Sequence, residues 1–113
     1  MRMRKKKNGI ARIEACSEYL IRNKKQIDVL REEGKLPCRL EIGCGKGTFI
    51  VTLAKQNPDV FYLAVERVFD VALLTAEKIA AQGLENVKLM VAGAEQLPDL
   101  LPAACVSRLY LNF

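Results

Sequence analysis

Three glycines alternate at positions 43, 45 and 47, directly after Leu40-Glu41-Ile42 and just before Phe49, Ile50, Leu53 and Ala54 at helical spacing. A strand that turns through alternating glycines into a helix leaves few folds open. Glycine permits positive φ and lets a ligand approach the backbone without side-chain interference. The helix that follows points free N–H groups and the positive end of its dipole at whatever binds there. Three alternating glycines exceed what a bare turn requires, so the segment reads as a ligand-binding loop. Its spacing is G-x-G-x-G. Thr48 stands where the dinucleotide pattern has its third glycine, and Gly47 stands where a P-loop has Ser or Thr.

The flanking pattern sets the fold class. Leu40 to Ile42 reads as a strand, and the helix after the loop stops at Asn57-Pro58. Val60 to Val65 is almost wholly apolar, as a buried parallel strand should be, and it ends in Glu66. Val68, Val71, Ala72, Thr75, Ala76, Ile79 and Ala80 give a second amphipathic helix closed by Gly83. Val87 to Val91 is a third strand, followed by Ala92-Gly93-Ala94-Glu95. A weak helical segment or loop carries Leu97, Leu100 and Leu101, and Val106 to Phe113 is a fourth strand. Alternating strands and helices of this kind predict an α/β fold with a parallel, Rossmann-like sheet. Upstream, Asn23 is placed to cap a helix from Lys24 to Arg31 that stops at Gly34.

Charge divides the chain in two. Residues 1–37 hold eleven Lys/Arg against five acids, a balance of +6, whereas residues 38–113 hold seven against eight, a balance of −1. The expected organisation is a basic N-terminal arm and helix over 1–37 and a ligand-binding α/β half-domain over 38–113. Arg2, Arg4, Lys5, Lys6 and Lys7 form a cationic cluster suited to a polyanion, and Lys46 adds a cation at the loop.

Composition removes other classes. With no histidine in 113 residues, Ser-His-Asp chemistry, histidine zinc ligation and imidazole acid–base catalysis are excluded for this chain. Cys16, Cys38, Cys44 and Cys105 contain no C-x-x-C pair and read as small buried thiols rather than a metal site or disulfides. No apolar run approaches the roughly 18 residues that cross a bilayer. No apolar signal core follows the basic start, so the expected setting is cytoplasmic, without a membrane or metal partner. The sequence leaves the oligomeric state open.

The acids sharpen the ligand. Glu66 lies 21 residues after Gly45, at a strand's carboxyl end, where a carboxylate accepts hydrogen bonds from ribose hydroxyls. Glu41 just precedes the loop. Acids on both sides disfavour a pyrophosphate and favour a cationic, ribose-bearing ligand, and S-adenosylmethionine has that chemistry. Small residues at 92–94 leave room for a flat base, whose edge their backbone groups can read.

Several segments together closely resemble the bacterial tRNA (guanine-N7-)-methyltransferases, which are class I S-adenosylmethionine-dependent enzymes. They are Glu41 to Gly47 with Phe49, Ala54 to Asp59, Ala64-Val65-Glu66, Asn86 to Leu89 and Leu109 to Phe113. Met1 to Arg4 and Glu18 to Ile21 are similar to that family's N-terminal segment, so the resemblance runs along nearly the whole chain. It implies cofactor contacts at Glu41, Glu66 and the position of Gly93, which join Gly43, Gly45 and Gly47 of the glycine loop and Ala94 and Glu95 after the third strand as candidate cofactor-binding residues. With tRNA as the substrate the resemblance implies, the basic cluster and Lys46 become the candidate nucleic-acid contacts. Gly93 departs from the family, which usually carries Asp or Asn there, and Glu95 is the residue placed to substitute.

In the family, the strand matching Leu109 to Phe113 continues into an Asp-Pro-Trp-Pro-Lys segment holding the aspartate credited with catalysis. That residue lies beyond Phe113, so the chain is expected to hold the N-terminal half, a sheet truncated after its fourth strand. Such a half should bind cofactor weakly and transfer methyl groups at background rate. The chemistry needs no general base, since guanine N7 has a free lone pair and no proton to lose. It needs an in-line nucleophile and a carboxylate near the developing cation. Two other readings remain: a methyltransferase-like domain that acts on another substrate or serves as a nucleic-acid-binding scaffold, and a nucleotide-binding oxidoreductase module.

Overall fold

A computed structural model describes residues 8–102 and 104–112. Four strands form one parallel sheet: β1 (Cys38–Ile42), β2 (Tyr62–Glu66), β3 (Val87–Val91) and β4 (Val106–Leu111), in the order β3-β2-β1-β4. The helices are α1 (Gly9–Glu14), α2 (Lys24–Glu32), α3 (Thr48–Gln56), α4 (Phe69–Gln82) and the short α5 (Leu97–Leu100). After three strands laid side by side, the chain crosses back to place β4 on the other side of β1. This reversal opens a crevice at the carboxyl ends of the strands, where open α/β sheets bind their ligands.

Period-two alternation sorts strand residues onto two faces. Tyr62, Ala64, Val87 and Leu89 join Ile50, Ala54, Leu73, Ala76 and Ile79 of α3 and α4 in one core. Leu40, Leu63, Val65 and Met90 join Ile27, Leu30 and Leu97 on the opposite face. Burying each of the Val, Leu, Ile and Met side chains among them contributes about 1.5–3 kcal/mol, which the ordering of the chain largely offsets.

Local sequence sets the element ends. Asn23 caps α2 by accepting from Gln26 N at 3.1 Å, and the Gln26 side chain returns to Asn23 N, a capping box. Gly83 ends α4 in the left-handed conformation. Asn86 Nδ2 reaches the carbonyls of Ala54, Asn57 and Val60 at 2.9–3.1 Å, tying the end of α3 to the approach to β2.

Residues ahead of β1 pack into the same body. Ile13, Cys16 and Leu20 join the α3/α4 core, Leu20 bridges to Leu89 of β3, and the Arg12 guanidinium pairs with Glu77 of α4. The basic cluster from Arg2 to Lys7 lies outside the described residues. At the other margin, β4 exposes Leu109 and Leu111 by half or more, which makes it an apolar edge. All four cysteines are buried free thiols, as their spacing suggested.

Candidate functional site

Backbone geometry shapes the loop first. Gly43, Gly45 and Gly47 take φ of +80°, +57° and +83°, values that L side chains adopt only with strain. Gly47 has a second constraint, since a Cβ there would lie 2.7 Å from Thr75 Cγ2. Thr75 is fully buried, and its hydroxyl donates to Gly45 O at 2.7 Å, so α4 holds the loop from beneath. Cys44 points inward beside Thr75, and burial pushes its thiol up to about 12. A thiol held neutral there is part of the packing, not a nucleophile.

Glu66 closes the loop from the side. Its Oε1 accepts from Gly45 N and its Oε2 from Val68 N, both at 3.0 Å. A carboxylate has about four acceptor sites, so lone pairs remain on both oxygens after those bonds.

These elements wall a cavity of about 450 Å³ at the carboxyl ends of β1, β2 and β3. Gly43, Gly45, Glu66, Gly93, Ala94 and Glu95 all line it, so six of the eight residues singled out for cofactor contact meet in one place. The other two sit behind the wall: Gly47 is buried under Thr75, and Glu41 is completely buried. Glu41 Oε2 accepts from Asn112 Nδ2 at 3.0 Å, and its Oε1 is buried without a partner. Burial raises the Glu41 carboxyl above the usual carboxylate range, and the Asn112 hydrogen bond partly opposes the rise. Lys46 is exposed on the loop.

Gly93 has a specific spatial reason. A Cβ at that position would fall inside the Glu95 carboxylate group, with Glu95 Cδ only 2.6 Å away. The Glu95 side chain therefore folds back over residue 93 and brings a carboxylate to the β3 end of the cavity. Gln96 fixes this turn, its side chain accepting from Gly93 N at 2.8 Å.

Three further residues that no sequence motif marked shape the site. Asn112 and Arg67 line the cavity, and Thr75 anchors the loop from below. Thr75 carried a legible signal, a hydroxyl on the apolar face of a helix. Asn112 carried none, because only strand pairing across β1 brings it to Glu41, 71 positions away. Among the described residues no group of three or more His, Cys, Asp and Glu is arranged to hold a metal ion, and no helix is long and apolar enough to cross a membrane.

Comparison with known proteins adds names to this geometry. A family model described as "Putative methyltransferase" matches residues 35–113. A protein of Clostridioides difficile (strain 630) named tRNA (guanine-N(7)-)-methyltransferase is 37% identical over all of this chain and 55% of its own length. A protein of the same name from Streptococcus pneumoniae (strain CGSP14) is 32% identical, again over all of this chain and 55% of its own. The chain thus spans about half the length of the curated relatives it matches. A solved structure, "The structure of PKMT2 from Rickettsia typhi", aligns with 50% of this chain at 27% identity and a TM-score of 0.45, over 11% of its own chain.

Proposed function

Because the chain belongs to this methyltransferase family, we propose that its residues form the S-adenosylmethionine-binding portion of a tRNA (guanine-N7-)-methyltransferase. The observation that carries the reading is the convergence of Gly43, Gly45, Glu66 and Gly93 to Glu95 on one crevice at the strand ends. The donor set fits that cofactor. Glu66 keeps free lone pairs for the two ribose hydroxyls while its other contacts hold the loop. Ala92, Gly93 and Ala94 leave a slot for a flat base, and the Glu95 carboxylate over Gly93 is an acceptor for an exocyclic amine. Glu41, Glu66 and Glu95 supply negative charge that favours a cationic ligand over a pyrophosphate.

When bound, S-adenosylmethionine supplies an electrophilic methyl group on its sulfonium. This chain's task is to hold that group at a fixed place, since N7 of guanine attacks without losing a proton. Residues 38–113 carry the crevice in this reading. The arm within residues 1–37, with Arg2, Arg4, Lys5, Lys6 and Lys7, and Lys46 on the loop, meets the tRNA backbone. A tRNA substrate sets the cytoplasm as the place of action.

Equilibrium dialysis with methyl-tritiated S-adenosylmethionine tests the reading. Saturable binding that S-adenosylhomocysteine competes away, and nicotinamide adenine dinucleotide does not, is the expected result. Equal competition by the dinucleotide contradicts it. Where transfer to tRNA is observed, 7-methylguanine is the expected product, and any other methylated nucleoside overturns the acceptor assignment.

A further inference from the structure

Helix α3 turns Thr48, Phe49, Thr52, Lys55 and Gln56 to solvent. Phe49 keeps 41% of its surface exposed, and it does not stand alone. The Tyr110 ring of β4 meets it edge to face, with centroids 5.5 Å apart, and the Arg108 guanidinium lies 5.3 Å from the Tyr110 centroid. An edge-to-face pair covers at most one face of a ring, so the exposed side of Phe49 stays open to a flat partner.

Charge on this side has one sign. No Asp or Glu falls between Ile42 and Pro58, which hold the loop and α3, or between Leu100 and Phe113, which hold β4. Lys46, Lys55 and Arg108 are exposed, and Lys78 of α4 donates to Thr48 Oγ1 at 3.2 Å. Among the described residues, none of these four cations is in an ion pair. The acids that bound these segments lie elsewhere. Glu41 is buried, Asp59 lines the cavity at the opposite end of the sheet, and Asp99 lines the groove between α2 and α5. Because α3 runs back against the direction of β4, Lys46 stands at the crevice end of the ring row and Lys55 at the other.

We propose that this face of α3 and β4 docks an unpaired RNA strand, with a base stacked on Phe49 and phosphates held by Lys46, Lys55, Lys78 and Arg108. The inference rests on the RNA reading of the proposed function and adds a second contact surface to the basic arm. Every base has a π-face, so stacking on a ring tolerates sequence while the cations follow the backbone. Bases splay out in this way only where RNA is unpaired. Position ties the face to the crevice: Tyr110 and Asn112 alternate onto the same side of β4, and Asn112 lines the crevice. Two residues of strand rise about 7 Å, so the ring row ends at the crevice rim. A second copy of this chain is the poorer occupant, since a two-fold contact sets the same cations against one another.

Fluorescence anisotropy with a labelled single-stranded RNA of about 12 nucleotides tests the surface, and the same RNA annealed to its complement is the comparison. Phe49→Ala is expected to weaken single-strand binding about tenfold, the loss of one base stack. Phe49→Leu should lose about as much while keeping an apolar contact with Tyr110, and Phe49→Tyr should bind like the parent. Arg108→Gln should lower the slope of log affinity against log salt by about 0.7, one phosphate contact on a single strand. The Phe49 variants should keep the parent slope, and duplex binding should not respond to Phe49→Ala. Circular dichroism reports that each variant is folded. Single-strand affinity that ignores Phe49→Ala and Phe49→Leu, or equal losses for duplex and single strand, overturns the platform. Binding that ignores Phe49 and Arg108 but is lost when Arg2, Arg4, Lys5, Lys6 and Lys7 become glutamine overturns it and leaves the RNA reading standing. Self-association of the parent that Phe49→Ala abolishes overturns it in favour of a contact between copies. Absence of RNA binding by the parent chain overturns the RNA reading and the platform with it.

Discussion

Replacing Glu66 with alanine is expected to lower the affinity for S-adenosylhomocysteine by about 100-fold, since hydrogen bonds to a charged group contribute about 1.5–3 kcal/mol each. In the proposed site two ribose hydroxyls would lose their acceptor. The loss has a second part, because Oε1 and Oε2 also hold Gly45 N and Val68 N at 3.0 Å. Without them the glycine loop no longer keeps its shape on the β2 side. Calorimetry with a 2′-deoxyribose analogue separates the two parts. The parent chain should bind the deoxy analogue more weakly than the ribose form, whereas Glu66→Ala should bind the two alike. Undiminished binding by Glu66→Ala contradicts the ribose contact.

The second large effect is on stability. Gly47→Ala places a Cβ at φ +83° and 2.7 Å from Thr75 Cγ2. A left-handed conformation costs a non-glycine residue about 1–2 kcal/mol, and forcing an extra carbon into packed surroundings costs about 1–3 kcal/mol. Together they reach about 3 kcal/mol, a large share of the roughly 5–15 kcal/mol that holds a domain folded. A matching drop in the denaturation midpoint is expected. Adding Thr75→Ser removes the nearest methyl and should recover part of the loss, while the backbone part remains. An unchanged midpoint for Gly47→Ala contradicts the geometry of the loop.

Much of the fold was legible because its signals are local. Val87 to Val91 forms a strand with those limits. Asn23, Gly83 and Asn57-Pro58 mark helix ends through capping and backbone rules that act within a few residues. Val60 was read into the second strand, which begins at Tyr62; Val60 N instead closes a turn on Asn57 O. The segment near Leu97, which the sequence leaves open between helix and loop, is a four-residue helix after a 3-10 turn, held by the Gln96 side chain accepting from Gly93 N.

The site was legible where a loop carries it and hidden where strand pairing does. Gly45 and Glu66, separated by 21 positions, were linked by the length of one β-α-β unit. Asn112 and Glu41 meet only because β4 returns beside β1, and no local pattern encodes that meeting. The packing of Ile13, Cys16 and Leu20 beneath α4 was equally invisible, since a short amphipathic turn does not say which face it covers.

The proposed function puts the adenosyl ligand in one crevice, at the carboxyl ends of the strands. The molecule also has a cavity of about 500 Å³ at the opposite end of the sheet, lined by Lys35, Arg39, Asp59, Glu85 and Asn86. Amide chemical-shift mapping of the nitrogen-15-labelled chain, titrated with S-adenosylhomocysteine, distinguishes the two. The largest shifts should fall at Gly43, Gly45, Glu66 to Val68 and Gly93 to Glu95, with Arg39 and Asn86 unmoved. Shifts centred on Arg39 and Asn86, or no shifts at saturating ligand, would contradict that placement.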